Sequence, residues 1–335
     1  MKHFLNFQNN LRKVRKSMRK LISLKEISHD EWLKYRKKGI TGTDAGAIVG
    51  LNPYCSAFAV YQDKITENVD TQDNEAMRQG RDFEEYVARR FSEETGLKVR
   101  RANAIYYNEE HPFMLADFDR LIVGQKVGLE CKTVSPYSAD KWEDGKIPYH
   151  YQLQVQHYLA VSGYDSWYIA ALIYGTDFII HKIERDESMI CNLIQIEERF
   201  WQDKVMQRIP PDPDGSADYS DMLRRVYFHT KKENEIQLIG FTEDIRRRDE
   251  LKELIDKLGK EKAEIEQKIQ MEMGKNDSSY AIAGDYNISW TSTVTHRLDA
   301  KRLKEEKPDI YQEFLKETPT KRFSIRMRKP SRSAA

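Results

Sequence analysis

Cysteine is scarce. Cys55, Cys131 and Cys191 are scattered through 335 residues, too few and too dispersed for a disulfide framework or a four-cysteine metal site. Long apolar runs are missing too: mean hydropathy is -0.75, no stretch nears the roughly 20 residues that span a bilayer, and no signal-peptide pattern opens the chain. A cytoplasmic protein is therefore expected. Charge of one sign is not in excess, because 55 Lys and Arg against 54 Asp and Glu leave a formal net charge of +1. That balance neither announces nor excludes a nucleic-acid binder, since acidic metal ligands offset a local basic surface. No serine or cysteine nucleophile with a histidine partner is evident, nor any internal repeat. What remains is a polar chain, 39% hydrophobic and 33% charged, with room for one large domain or two ordinary ones.

The most informative stretch runs from Leu115 to Ile122 and continues through Gly128-Leu129-Glu130-Cys131-Lys132-Thr133. Each half reads as a short strand, with Gly124 in the turn between them. Alternation puts Glu130 and Lys132 on one strand face and Leu129 and Cys131 on the other. With Asp119 on the neighbouring strand, the acids suit a hard divalent cation and the lysine lies close enough to act on its bound water. An exposed hairpin whose acids and lysine pair across the strands explains these few residues equally well.

Around this stretch the chain predicts alternating elements. Residues 1–24 form a basic extension, in which Met18 is a second candidate start. Ser28-His29-Asp30-Glu31 is a capping box for a helix carrying Trp32 and Tyr35, and Thr43 is placed to cap a short helix ended by Gly50 and Pro53. A helix over 75–95 carries Phe83, Val87 and Phe91 as its apolar stripe, with Glu84 at the stripe's edge. Strands follow at 98–107, 113–123 and 126–134, then a helix over 149–162 with Tyr151 and Gln154, strands at 166–174 and 177–184, and a helix over 187–207. The proline- and aspartate-rich run at 209–215 marks a boundary. Beyond it, residues 243–273 carry Leu251, Leu258 and Ile265 at heptad spacing, as a long helix or a helical hairpin bent at Gly259. A hairpin about Gly284-Asp285, a helix near 301–316 and a basic strand at 321–328 close the chain. His157 reads as a packing residue rather than a ligand, and Asp117 as a surface acid.

An Asp followed by Glu-x-Lys on adjacent strands resembles the core motif of restriction-endonuclease-like, or PD-(D/E)XK, nucleases. Five ordered blocks narrow the resemblance to the YqaJ-type viral recombinase family, relatives of phage lambda exonuclease. They are Gly39-Ile40-Thr41-Gly42-Thr43-Asp44, Gly80-x-x-x-Glu84, Ala116-x-x-Asp119, Gly128-Leu129-Glu130-Cys131-Lys132-Thr133 and Tyr151-Gln152-Leu153-Gln154-Val155-Gln156-His157-Tyr158.

The resemblance implies an α/β fold, a mixed sheet flanked by helices over 25–212, followed by a C-terminal α+β extension over 213–335 of unassigned role. It implies Asp119, Glu130 and the Cys131 carbonyl as ligands to Mg²⁺ or Mn²⁺, two ions per site. Glu84 would bind or support the second ion, Lys132 would act on the attacking water, and Gln154 and Tyr151 would line the site. Arg36 and Thr43 match positions that hold a terminal phosphate. The expected activity is 5′ to 3′ digestion of one strand at duplex DNA ends, in a phage or prophage recombination system within a bacterial host. A RecT-like annealing partner and a trimeric ring are implied with it. Two alternatives stand beside this. One is a RecB-like nuclease of the same fold, whose iron–sulfur versions the dispersed cysteines disfavour. The other is a DNA-binding or assembly protein with a decayed site, which intact Asp119, Glu130 and Lys132 disfavour.

Overall fold

The computed structural model describes residues 18–67, 75–174, 177–230, 235–318 and 320–327. The chain forms two compact units, one ending at Phe228 and the other beginning at His229.

In chain order the first unit contains β1 (Met18–Ser23), α1 (His29–Arg36), α2 (Gly42–Ile48), α3 (Ala57–Ile65), α4 (Glu75–Thr95), β2 (Val99–Arg101), β3 (Ala104–Asn108), β4 (Leu115–Asp117), β5 (Arg120–Ile122), β6 (Val127–Val134), α5 (Tyr149–Ser162), β7 (Ser166–Ile173), β8 (Asp177–Glu184), α6 (Glu187–Arg199) and α7 (Ala217–Val226). A 3₁₀ segment at Pro136–Gly145 precedes α5, and a π-helical segment at Phe200–Met206 extends α6. The main sheet has five strands in the order β2-β5-β6-β7-β8. Only β6 and β7 run parallel, joined by the crossover through α5. This is the expected mixed sheet flanked by helices.

The sheet is sandwiched. On one face α4 lays Val87, Ala88 and Phe91 against Leu129 and Ala170, with Cys131 alongside. On the other, α5 is buried along almost its whole length, covered by α2 and α6. Near-continuous burial explains why α5 shows no clear apolar stripe. Phe83 is not part of the buried stripe of α4 and stands edge-on to Tyr174.

Two predicted strands are each broken, and both breaks matter. The 98–107 strand divides at Ala102-Asn103, where Asn103 has φ 50°, and the 113–123 strand divides at Phe118-Asp119. The outer halves pair as β2 with β5 in the main sheet. The inner halves pair as β3 with β4 in a second, three-stranded sheet of order β1-β3-β4. The extension expected at 1–24 is thus partly structural, because Met18–Ser23 is an edge strand on β3; Arg12, Lys13, Arg15 and Lys16 lie outside the described residues. The expected boundary at 212/213 also shifts, because α7 packs back on α3. Tyr219 stacks on Phe58 at 4.6 Å, and Asp218 accepts the Ser56 amide at 2.7 Å.

In the second unit, α8 (Thr242–Lys275) is one continuous helix rather than a hairpin. β9 (Tyr280–Ala283) and β10 (Tyr286–Ser289) form the hairpin expected about Gly284. The helix expected at 301–316 is split into α9 (Ala300–Glu306) and α10 (Pro308–Glu313), because Pro308 cannot continue a helix through its own nitrogen. No strand forms over 320–327.

A buried pair ties α5 and α6 to each other and to β4 of the second sheet. His157 and Glu197 are both fully buried and 2.8 Å apart, and the other ring nitrogen of His157 lies 2.9 Å from the Leu115 carbonyl. Acceptors at both nitrogens favour a doubly protonated ring. Burial opposes that charge, but Glu197 and the Leu115 carbonyl outweigh it and raise the His157 pKa. Burial also pushes the Glu197 carboxyl up, against His157. Both groups therefore hold protons more tightly folded than unfolded, so the pair's stabilising proton is present at low pH and lost as pH rises through the elevated His157 pKa. Glu197→Gln is expected to cost about 3 kcal/mol near neutral pH, with the gap from wild type narrowing as pH rises; urea unfolding across a pH series measures both.

Candidate active site

The site forms where two strands separate. β5 and β6 are paired at Arg120–Leu129 and Leu121–Gly128, and past that point the chain of Phe118 and Asp119 leaves the main sheet. The exposed edge of β6 still needs acceptors, and one comes from a side chain: Asp119 Oδ2 accepts the Cys131 amide at 2.8 Å. Asp119 is fixed beside Glu130 by the backbone's own demand for hydrogen bonds.

Glu130 is almost wholly buried on the α5 face. Its Oε1 accepts from Lys132 Nζ and from Gln154 Nε2, each at 2.6 Å. Gln154 also donates to the Tyr158 hydroxyl at 2.8 Å and accepts from Lys132 at 3.0 Å. Lys132 Nζ sits 4.7 Å from the Tyr151 ring centroid, a cation–π contact. Gln154 and Tyr151 therefore stand behind the reactive groups rather than lining the cavity. Gln152 and Gln156 are also engaged: Gln152 donates to the Ile147 carbonyl, and buried Gln156 bridges the Glu184 carbonyl and the Asp186 amide.

Electrostatics follow from burial. Desolvation, then Glu130 and Glu84, push the Asp119 carboxyl well up, against Lys132 and the Cys131 amide. Burial disfavours the Lys132 ammonium, yet Glu130 chiefly keeps its pKa raised, so this lysine is a cation rather than a base. Burial, Asp119 and Glu130 hold the Cys131 thiol well above its ordinary value, which leaves only its carbonyl as a ligand atom.

Glu84 reaches the site from α4 but is held by Arg120, which also bonds Glu85 at 2.9 Å and its neighbour's carbonyl, Asp119 O, at 2.8 Å. Arg120 is the residue sequence reasoning missed. An arginine inside a three-residue strand, 3% exposed, was a signal only once its two glutamates were seen to be near. Among the described residues no three His, Cys, Asp or Glu side chains form a ready-made metal cage, consistent with Glu84 being engaged by Arg120. The donor set nonetheless suits a hard cation. Glu130 Oε2 is buried with no hydrogen-bond partner, an arrangement that costs free energy unless something positive fills it.

These groups open on a cavity of about 770 Å³ that Arg36, Thr43, Glu84, Asp119, Glu130 and Lys132 help to line. At its far side Arg36 donates to Asp117 at 2.6 Å, and to the hydroxyls of Thr43 at 2.9 Å and Thr41 at 3.2 Å. Its guanidinium lies 4.8 Å from the Trp32 ring, whose Nε1 also donates to Asp117. Asp117 is thus a half-buried anchor for Arg36, not a surface acid. The cap of α2 is Thr41, not Thr43. Asp44 accepts the Thr41 amide at 2.8 Å and Lys64 Nζ at 2.8 Å, so the helix start is occupied by its own carboxylate and offers a bound anion less than an open cap would. Thr43 is the second residue of α2 and lines the cavity.

The chain belongs to the YqaJ-like viral recombinase family: residues 31–165 match the family's domain, which covers every one of the site residues above. Over 305 residues it is 41% identical to the YqaJ protein of Bacillus subtilis strain 168, covering 90% of this chain and 95% of that protein. Among solved structures it is similar to an alkaline exonuclease from Laribacter hongkongensis, at 19% identity and a TM-score of 0.46 over 53% of this chain and 93% of that one. A phage-related exonuclease from Haemophilus somnus 129PT is similar at 12% identity and a TM-score of 0.39, over 53% of this chain and 99% of that one.

Gly42 tests how the support is built. A Cβ at this position would lie 2.4 Å from Tyr158 Cε1, so the ring that holds Gln154 must move. Gly42→Ala is expected to destabilise the protein by about 1–3 kcal/mol, the usual scale of overpacking, read as a lower thermal midpoint.

Proposed function

We propose that this chain is a metal-dependent DNA exonuclease that digests one strand from a 5′-phosphorylated duplex end. The observation that carries the reading is the Glu130 carboxylate. One oxygen is saturated by Lys132 and Gln154; the other is buried and unpartnered beside Asp119, at the wall of an open cavity with a cationic far side. Asp119, Glu130 and the Cys131 carbonyl would hold divalent cations, with Glu84 able to join them if Arg120 releases it. When bound, such ions supply an activated water and neutralise charge on the phosphodiester. The protein's own part is positional. Gln154 and Tyr158 fix the Glu130 rotamer, while Lys132 presents its ammonium where negative charge develops and orients a water by donating to it. Arg36 and the Thr43 hydroxyl receive the terminal phosphate, which carries more charge than an internal one.

Two experiments test this. On duplex DNA with Mg²⁺, Glu130→Ala is expected to abolish cleavage, and Lys132→Ala to lower turnover by roughly 10²–10⁴-fold. Calorimetric Mg²⁺ binding should be lost in the first variant and kept in the second. Because Asp119 holds its proton unusually tightly, a cation must displace it, so apparent Mg²⁺ affinity is expected to rise as pH rises through the elevated Asp119 pKa. Cleavage undiminished in Glu130→Ala would remove the proposed site.

The second experiment compares 5′-phosphate with 5′-hydroxyl ends. Arg36→Ala should slow digestion of phosphorylated duplexes far more than hydroxyl ones, narrowing the preference between them. Asp117→Asn, which loosens the arginine without removing it, should act in the same direction more weakly. Equal slowing on both substrates would make Arg36 a general backbone contact.

A further inference from the structure

The long helix of the second unit carries a face that its own unit leaves uncovered. Leu251, Ile255, Leu258, Ile265 and Ile269 are between 37% and 67% exposed. With Lys262 they recur in alternating steps of four and three residues along α8, the heptad spacing of a coiled-coil seam rather than the broader stripe of a helix on a globular core. Ile255, Lys262 and Ile269 take one set of seam positions; Leu251, Leu258 and Ile265 take the other.

We propose that α8 pairs with α8 of a second copy of this chain, in antiparallel orientation and centred on residue 260. Three features select this occupant. First, the antiparallel register overlaps the entire seam. Ile255 of each copy meets Ile265 of the other, Lys262 meets Leu258, and Ile269 meets Leu251. Second, the flanking charges are complementary only in this direction. Lys252 of each copy then stands opposite Glu266 of the other, an acid that within its own helix pairs with Lys262 at 3.2 Å. A parallel pair would set Glu261 against Glu266 and Arg247 against Lys252, both repulsive. In the antiparallel pair the like-charge approaches are Glu261 to its own copy at the twofold axis, beside both Lys262 residues, and Arg247 to Lys275 at the helix ends. Third, Gly259 falls at the crossing point. Glycine is unfavourable within a helix, and among the described residues nothing beyond the helix's own adjacent backbone lies within 4 Å of a Cβ built there. Close approach of a second helix at that point accounts for it. Twofold self-association also closes on itself and leaves no seam open.

The test uses the full chain. Light scattering at tens of micromolar is expected to give wild type twice the solution mass of the Leu258→Glu, Ile265→Glu double variant, whose helical circular dichroism should be unchanged because both positions are exposed. Leu251→Cys and Ile269→Cys, made separately and then mixed under mild oxidation, should form a covalent dimer that neither forms alone, judged against the unaltered chain with its three native cysteines. Equal masses for wild type and the double variant would overturn the pairing. A Leu251→Cys chain that links to itself would overturn the antiparallel direction. Gly259→Leu should weaken the dimer without altering the helix; unchanged association would remove the close crossing.

Discussion

The structure turns on the unpaired edge of β6. Beyond Leu129 that strand has lost its partner on one side, and its amide at Cys131 is satisfied by the Asp119 carboxylate instead of a strand carbonyl. A buried amide without an acceptor costs on the order of 1–3 kcal/mol, so the fork can exist only if an acid stands at the branch. The same acid, by standing there, is driven against Glu130. Folding thus creates the close approach of two carboxylates that a cation site requires, and burial first, then Glu130, raises the Asp119 pKa.

What surrounds the fork keeps it from collapsing. Phe118, the residue that turns away, packs between Tyr106, Tyr158 and Trp167. Gly128 lets Trp167 lie across the strand where a Cβ would be 2.0 Å from the indole. Arg120 closes the base of the fork by binding Glu84 and Glu85 from α4, while the His157–Glu197 pair grips the Leu115 carbonyl from the other side. The two polar braces, buried Arg120 between its glutamates and the buried His157–Glu197 pair, are bonded at both ends. Half-satisfied networks in a low-dielectric interior would destabilise the fold rather than order it.

The sequence made the strand chemistry legible and hid the geometry. Alternation along Leu129-Glu130-Cys131-Lys132 assigned the two faces correctly because strand period is a local property, and the Ser28–Glu31 box was readable for the same reason. The bends at Asn103 and Asp119 were not readable. Neither carries a proline or glycine, and each is imposed by pairing with a different sheet. Thr41 and Thr43 stand two residues apart, and what selects Thr41 as the cap is its local box with Asp44, which accepts the Thr41 amide and hydroxyl. Asp117 looked like a surface acid because its partners, Arg36 and Trp32, come from a helix some eighty residues earlier. Residues 18–23 join two adjacent cations, Arg19 and Lys20, to Leu21 and Ile22, which suits a charged edge strand as well as an arm, and only the presence of β3 decides.

Asp117 and Asp119 lie two residues apart on either side of the bend, and this spacing links the two ends of the cavity. Asp117 closes the second sheet's β4 and holds Arg36; Asp119 opens onto the main sheet and faces Glu130. The distance between the cationic end and the acidic end is therefore set by one short segment of backbone, anchored at Phe118 by aromatic packing rather than by a loop. In the proposed nuclease that segment measures the step from terminal phosphate to scissile bond. A rigid ruler of this kind favours substrates presenting the charge at one fixed distance from the bond to be cut. It also explains why Asp117 is engaged by two donors: an arginine free to swing would give the same charge to the cavity but no register.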